Sequence, residues 1–186
     1  MADLAKMVQT VQQYGVTDKQ VVRTIERVDR RAFVPKRLRL LAYEDKALPI
    51  GFGQTISQPY TVARMIELLI ENLKFKIQNS KILEVGTGSG WQTAILSRLF
   101  DQVYSVEIIE KLVRGAKLKM ENLKIKNVEI RIGDGKFGVY ISGGVDSAII
   151  ASLASKISRN KPNLFSLAFD NKTFDESTYQ KLLVNY

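Results

Sequence analysis

Two glycine-rich segments, 84–90 and 142–147, hold the residues of this chain best suited to bind an anionic or ribose-bearing ligand. The first reads Glu-Val-Gly-Thr-Gly-Ser-Gly after the run 81–83, and the second reads Ser-Gly-Gly-Val-Asp-Ser after the run 138–141. A glycine-rich turn between a strand and a helix exposes backbone N–H groups to phosphate and ribose oxygens. Each segment therefore predicts a nucleotide-binding loop.

Acidic residues follow the first segment at informative spacing. Glu107 ends the next predicted strand, where a carboxylate can accept hydrogen bonds from a ribose diol. Asp134 ends the third predicted strand, where it can meet an adenine amino group. Together they predict a nucleoside site with the cofactor-binding residues Glu84, Gly86, Thr87, Gly88, Ser89, Gly90, Glu107, Asp134 and Gly135.

Cysteine and histidine are both absent from the 186 residues. Their absence excludes disulfides, Cys/His zinc sites, thiol nucleophiles and a Ser-His-Asp triad. No residue is assigned to a metal. With 45% hydrophobic residues the chain is long enough for one good core, and two independent domains are not expected.

The chain carries a net charge of +9, and its densest basic stretch is 111–131. Clustered Lys and Arg attract nucleic acid, but these charges lie on the solvent side of a helical apolar stripe without interleaved aromatic residues. A solvated surface is favoured, and nucleic acid is not expected as a partner. The start of the chain lacks a secretory pattern, and no apolar run approaches the roughly 20 residues of a membrane span. We therefore expect a cytoplasmic protein without membrane contact.

Residues 1–76 are predicted to form N-terminal helices and a loop. Apolar residues at helical spacing predict two short helices within the first thirty residues. Thr17 with Gln20 predicts a capping box at the start of the second helix. A loop-rich stretch is predicted from 43 to 60, and 61–73 is predicted to be helical again.

Residues 77–186 alternate between apolar strand patterns and helical patterns. The predicted strands are 81–85, 103–106, 128–132, 139–141 and 164–169, and the predicted helices are 91–99, 110–123, 145–157 and 176–184. This alternation favours a parallel sheet with right-handed crossovers. The predicted fold is α/β, a Rossmann-like doubly wound mostly parallel sheet in three layers with an N-terminal helical extension, in one compact domain overall.

The connection between the third and fourth predicted strands, 133–138, is too short for a crossover helix. Either these two strands lie in different places in the sheet, or a loop crosses the sheet edge between them.

Residues 1–136 resemble protein-L-isoaspartate O-methyltransferase, a family that uses S-adenosylmethionine. The matching stretches are 31–35, 47–59, 83–94 and 133–135, and the most specific is Gln-Thr-Ile-Ser-Gln-Pro at 54–59. By this resemblance Ser57 is the active-site serine, and Thr55 and Ile56 shape the peptide pocket. A carboxylate is already nucleophilic, so methyl transfer to it depends mostly on proximity and orientation.

Residues 138–186 instead resemble part of the synthetase domain of asparagine synthetase, a member of the PP-loop ATP pyrophosphatases. By this resemblance Asp146 matches a magnesium ligand, and the loop that cradles pyrophosphate consists of Ser142, Gly143, Gly144, Asp146 and Ser147. A second magnesium carboxylate and most of that domain are absent from the match. A structural role for 138–186, completing the sheet after the methyltransferase-derived part 77–137, is therefore favoured over ATP binding.

Three functional interpretations remain open. The leading one is an S-adenosylmethionine-binding methyltransferase that acts on isoaspartyl residues of peptides or proteins. The second is a PP-loop fragment that binds Mg-ATP, and the third is a folded chimera, natural or engineered, without activity. An unpaired sheet edge after the fifth strand would also allow a homodimer, although the sequence does not reveal the oligomeric state.

Overall fold

The computed structural model describes residues 2–72, 80–133, 138–140 and 163–165 of the chain. The chain divides into two compact units, 1–133 and 134–186, and each is described by itself. The predicted single domain therefore stays a prediction. Within the described ranges, no helix is long and apolar enough to cross a membrane.

Two helices open the first unit, α1 (Ala2–Gln13) and α2 (Lys19–Arg27), as predicted. The predicted capping box of Thr17 and Gln20 is wrong, because Asp18 caps α2. Its Oδ1 accepts hydrogen bonds from the backbone N–H groups of Gln20 at 2.8 Å and Val21 at 2.9 Å. A carboxylate at this position satisfies two N–H groups at once. The Thr17 N–H donates instead to Glu67 Oε1 at 2.6 Å.

Two short 3-10 turns, Arg30–Ala32 and Lys36–Leu41, lead to an antiparallel hairpin. Its strands are β1 (Leu48–Gly51) and β2 (Gln54–Ile56), so the prediction of a loop throughout 43–60 is wrong in part. The hairpin turn has three successive positive φ angles: 96° at Gly51, 55° at Phe52 and 70° at Gly53.

Helix α3 (Pro59–Asn72) follows the hairpin, close to its predicted range. Its first residue is a proline, which has no N–H to leave unsatisfied at the start of a helix. The Glu67 side chain on this helix is fully buried and binds Arg64 Nη1 at 2.6 Å as well as the chain before α2. Helix α3 is thereby tied to the N-terminal helices.

A three-stranded parallel sheet follows, in the order β3-β4-β5. The strands are β3 (Lys81–Val85), β4 (Gln102–Glu107) and β5 (Val128–Ile132), and the helices between them are α4 (Trp91–Leu96) and α5 (Glu110–Asn122). The predicted α/β class and parallel pairing are confirmed. Helix α4 ends three residues before its predicted end at Leu99.

Among the described residues of the sheet, those on one face are mostly buried and those on the other are more exposed. Val103, Ser105 and Ile130 on β4 and β5 are nearly inaccessible to solvent, whereas Leu83 and Val85 on the opposite face of β3 are more than half exposed. Alternate residues of a strand point to opposite faces, so β3 presents Glu84 to the buried side.

In the second unit, β6 (Gly138–Tyr140) pairs in parallel with β7 (Asn163–Phe165). These are the fourth and fifth predicted strands. The short connection before β6 includes residues 134–137, which lie outside the described residues, so both alternatives for it stay predictions. The predicted helices 145–157 and 176–184 lie outside the described residues.

Candidate functional site

The glycine loop between β3 and α4 is a left-handed turn at three points. Its φ angles are 94° at Gly86, 53° at Gly88 and 87° at Gly90, values that side chains disfavour. The Gly86 N–H donates to the Val106 carbonyl at 2.8 Å, which holds the loop against the end of β4. Since a Cβ built on Gly86 meets nothing within 4 Å, the backbone here is open to a ligand.

Glu107 lies beside this loop at the carboxyl end of β4. Its Oε2 accepts a hydrogen bond from the Gly88 N–H at 2.9 Å, and its Oε1 accepts one from the Ile109 N–H at 3.0 Å. A carboxylate has about four acceptor positions, so both oxygens can still accept from hydroxyl groups. The structure thus brings together the predicted ribose acid and the predicted loop.

Glu84 has a different environment from Glu107, although both were predicted to bind the cofactor. Its buried Oε2 accepts hydrogen bonds from Thr93 Oγ1 at 2.5 Å and Ser105 Oγ at 2.6 Å. The Ser105 hydroxyl lies 2.5 Å from Thr87 Oγ1, so the network reaches the glycine loop. Burial raises the pKa of Glu84 to about 7, although these hydrogen bonds lower it. The side chain supports the loop from within the fold.

The remaining loop residue, Ser89, is held through its backbone. Its carbonyl accepts a hydrogen bond from Lys119 Nζ at 3.0 Å, and the same ammonium lies 5.6 Å from the centre of the Phe33 ring. Burial lowers the pKa of Lys119. The prediction that all basic residues of 111–131 are solvated is therefore wrong for Lys119.

The hairpin that contains the predicted substrate residues Thr55 and Ile56 contacts the glycine loop. A Cβ built on Gly88 would lie 3.6 Å from Cδ1 of Ile50, so β1 contacts the loop directly. On β2, which pairs with β1, Thr55 is exposed and Ile56 is buried. Ser57 follows them with an exposed side chain. The hairpin that precedes the predicted serine thus contacts the predicted cofactor loop through Ile50.

Arg30 is part of this arrangement and was missed by the sequence reasoning. Its side chain is fully buried, and its guanidinium donates hydrogen bonds to four backbone carbonyls: Ala42 at 2.7 Å, Glu44 at 3.4 Å, Lys46 at 2.8 Å and Ser57 at 3.0 Å. Burial lowers its pKa to about 10. Nothing in the sequence separates Arg30 from its exposed neighbour Arg31, since all of these contacts are long-range.

Several predicted residues lie outside the described part of the chain. These are Asp134 and Gly135 of the cofactor site and the PP-loop residues Ser142, Gly143, Gly144, Asp146 and Ser147. The last described residue before them, Gly133, donates its N–H to the Glu107 carbonyl at 3.1 Å. The chain therefore leaves β5 beside Glu107.

Comparison with known proteins gives a family match over most of the chain. The model of the family described as protein-L-isoaspartate(D-aspartate) O-methyltransferase matches residues 2–161. This match continues beyond residue 136, where the sequence resemblance was predicted to end.

Curated relatives bear the same name. A protein-L-isoaspartate O-methyltransferase of Idiomarina loihiensis is 44% identical over 152 residues, which are 82% of this chain and 69% of the relative. One from Vibrio campbellii is 46% identical over 143 residues, which are 77% of this chain and 66% of the relative. This chain therefore spans about two thirds of the length of these relatives.

Solved structures agree on the fold. A protein-L-isoaspartate O-methyltransferase is 29% identical with a TM-score of 0.61, and the match covers 72% of this chain and 43% of that one. A Plasmodium falciparum protein of the same description, in complex with S-adenosyl-L-homocysteine, is 18% identical with a TM-score of 0.59. The second match covers 90% of this chain and 84% of that one, and it shows a shared fold.

Proposed function

Because this chain belongs to the protein-L-isoaspartate(D-aspartate) O-methyltransferase family, we propose that it methylates the free carboxylate of isoaspartyl residues in peptides and proteins. The family confirms the predicted resemblance of residues 1–136 and the prediction of S-adenosylmethionine as cofactor. The observation that supports activity in this chain is the contact of Ile50 with Gly88, because Ile50 belongs to the hairpin that directly precedes Ser57.

The described residues fit this cofactor. Gly86 leaves its backbone open, and Glu107 keeps acceptor capacity on both carboxylate oxygens, which suits the hydroxyls of a ribose. Glu84 supports the loop from below through Thr87, so we propose that it positions the loop without touching the cofactor. We further propose that Asp134 and Gly135 contact the adenine, since Gly133 is bonded to Glu107.

The proposed reaction depends more on the placement of its two reactants than on acid–base chemistry. Bound S-adenosylmethionine supplies a methyl group on a positively charged sulfur, and the isoaspartyl carboxylate attacks as an anion. The chain then has to hold that carboxylate in line with the methyl group and exclude water, and such orientation can contribute roughly 7–11 kcal/mol to lowering a barrier. We propose that Ser57 contacts the substrate, and that Thr55 and Ile56 form the wall of the peptide pocket.

A methyl-transfer assay tests this proposal. The chain is incubated with S-adenosylmethionine carrying a radiolabelled methyl group and with either an isoaspartyl peptide or the same peptide containing aspartate. We expect labelling of the isoaspartyl peptide alone. Binding of S-adenosylhomocysteine without labelling would leave a cofactor-binding protein, and no binding at all would leave the inactive chimera.

We also infer a second candidate, Mg-ATP binding at the PP-loop of residues 142–147. Supporting it, the strand β6 comes just before this loop and pairs in parallel with β7, as the predicted strand-loop-helix unit requires. The finer assignment of 138–186 as a borrowed PP-loop segment depends on this binding. Calorimetric titration with Mg-ATP tests it: we expect weak binding that Asp146→Ala removes, and no heat from the unmodified chain sinks the candidate.

A further inference from the structure

Arg30 is a buried cation that contacts segments from both sides of the candidate site. On one side its guanidinium binds the carbonyl of Ser57 at 3.0 Å. On the other side it lies 5.2 Å from the centre of the Trp91 ring, and Trp91 is the first residue of α4, directly after Gly90. One rigid, planar group thus lies between the serine segment and the end of the cofactor loop.

On the serine side, Arg30 binds backbone carbonyls in segments that lie outside helices and strands. The Nη1 atom binds the carbonyl of Ala42, and the Nη2 atom binds those of Lys46 and Ser57. Two of these carbonyls precede the hairpin and one follows it. The forked guanidinium group of Arg30 therefore binds both ends of the hairpin. Hydrogen bonds from an ionised donor are roughly twice as strong as neutral ones.

On the cofactor side, Arg30 contacts Trp91, and this contact holds the guanidinium group in position. The Trp91 residue is 1% exposed, and its Nε1 donates to the carbonyl of Val28, the residue directly after α2, at 3.0 Å. Arg30 packs on this ring as a cation on an aromatic face. Among the described residues, no carboxylate is within ion-pair distance of Arg30. The charge of Asp45 raises the pKa of Arg30, which opposes the lowering caused by burial.

We propose that Arg30 is a positioning residue that fixes the distance between Ser57 and the bound cofactor, and so controls the rate of methyl transfer and not the affinity for the cofactor. The inference rests on the proposed function. The glycine loop has its own supports on β4, through Val106, Ser105 and Glu107, and none of them involves Arg30. Loss of the fork should therefore release the hairpin and leave the loop in place.

The variant Arg30→Lys tests this directly, because it keeps the positive charge and removes the fork. We measure kcat and KM for an isoaspartyl peptide, together with the calorimetric affinity for S-adenosylhomocysteine. We expect kcat to fall about tenfold or more, because small misplacements in an active site can cost up to about 100-fold in rate. Affinity for S-adenosylhomocysteine should stay within about threefold.

The matched control is Arg31→Lys, at the neighbouring and exposed arginine, whose side chain binds Asp29. It should change neither quantity. An Arg30→Lys variant that keeps its kcat, or that loses cofactor affinity by the same factor as kcat, overturns the inference.

Amide hydrogen exchange separates this inference from the proposed function and from a failure to fold. In Arg30→Lys we expect the amides of 48–58 to exchange about tenfold faster or more, while those of 103–107 keep the rate of the unmodified chain. If the unmodified chain shows no methyl transfer, the proposed function fails and the effect on rate fails with it, while faster exchange confined to 48–58 still supports the attachment of the hairpin by Arg30. Equal acceleration in both segments would mean general destabilisation and would overturn it.

Discussion

Glu107 accepts a hydrogen bond from the backbone N–H of Gly88 at 2.9 Å, so the acid at the end of β4 also fixes the middle of the glycine loop. This carboxylate therefore supports the fold, and in our proposal it also binds the ribose of the cofactor. Replacing Glu107 should weaken cofactor binding because it removes the hydrogen bond that holds Gly88, in addition to any contact with the ribose.

We expect Glu107→Ala to weaken S-adenosylhomocysteine binding by roughly 10- to 100-fold, since a hydrogen bond to a charged group contributes about 1.5–3 kcal/mol. Glu107→Gln keeps one acceptor oxygen and should lose less. Calorimetry measures both. Glu110→Ala serves as the control, because Glu110 is exposed and its side chain binds only Arg114 among the described residues. Unchanged affinity in Glu107→Ala would remove this residue from the cofactor site.

Gly90→Ala should destabilise the first unit more than Gly86→Ala does. Both alanines would have a disfavoured positive φ, which costs roughly 1–2 kcal/mol. At position 90 the new Cβ would also lie 3.0 Å from Met120 Cε and 3.1 Å from Ala116 Cβ, and such overpacking costs roughly 1–3 kcal/mol more. Urea unfolding of both variants measures the difference.

The double variant with Ala116→Gly removes one of the two clashing atoms at position 90. We expect it to recover part of the loss in Gly90→Ala. Equal stability of the two alanine variants would show that packing by α5 plays no part.

Glu84 should make the stability of the chain depend on pH. Because burial raises its pKa to about 7, the folded chain keeps a proton that the unfolded chain releases near the ordinary value of 4.5. The stabilisation is complete below about pH 4.5 and is lost as pH rises toward 7, by roughly 3 kcal/mol in total. Glu84→Gln should remove this slope.

Urea unfolding at several pH values between 5 and 8 checks that slope. The pKa values of Asp29 and Glu67 are lowered, so their contributions are lost only at more acidic pH and do not enter this window. The same slope in the unmodified chain and in Glu84→Gln would assign the pH dependence to other groups.

Ser57→Ala should reduce methyl transfer without affecting stability or cofactor binding. The side chain of Ser57 is exposed, whereas the fold uses its backbone carbonyl through Arg30. We expect a loss of about tenfold or more in kcat/KM, consistent with a lost orienting contact of roughly 1–2 kcal/mol or more. Steady-state kinetics with Thr55→Ser as a milder comparison checks this. Activity equal to that of the unmodified chain would exclude a contact between Ser57 and the substrate.

The sheet could be predicted from the sequence because each strand is a short apolar run followed by a helical pattern. Strands β3 and β5 were predicted at their observed bounds. The hairpin could not, because its strands have only four and three residues, and β1 contains proline and glycine, which are also typical of loops. The conformation of the glycine loop was predictable from local sequence, because glycine at positions 86, 88 and 90 permits the positive φ angles observed there.

The roles of the two acids could not be predicted from local sequence. Glu84 and Glu107 both lie near the carboxyl ends of strands, yet only tertiary packing gives Glu84 the hydroxyls of Thr93 and Ser105 as partners. Arg30 shows the same limit, since its four carbonyl partners lie 12 to 27 residues away in sequence. Residue spacing identifies candidates, and packing decides which of them faces a ligand.

The left-handed backbone at Phe52 has a consequence for anyone who seeks a more robust version of this chain. A residue with a Cβ at φ 55° stores roughly 1–2 kcal/mol of strain, and glycine at that position would release most of it. Selection for thermal stability alone would thus favour glycine over Phe52. The residue is 53% exposed, and its ring lies 5.6 Å from Lys111 Nζ. The stability of the turn and the retention of this exposed ring therefore favour different residues at position 52.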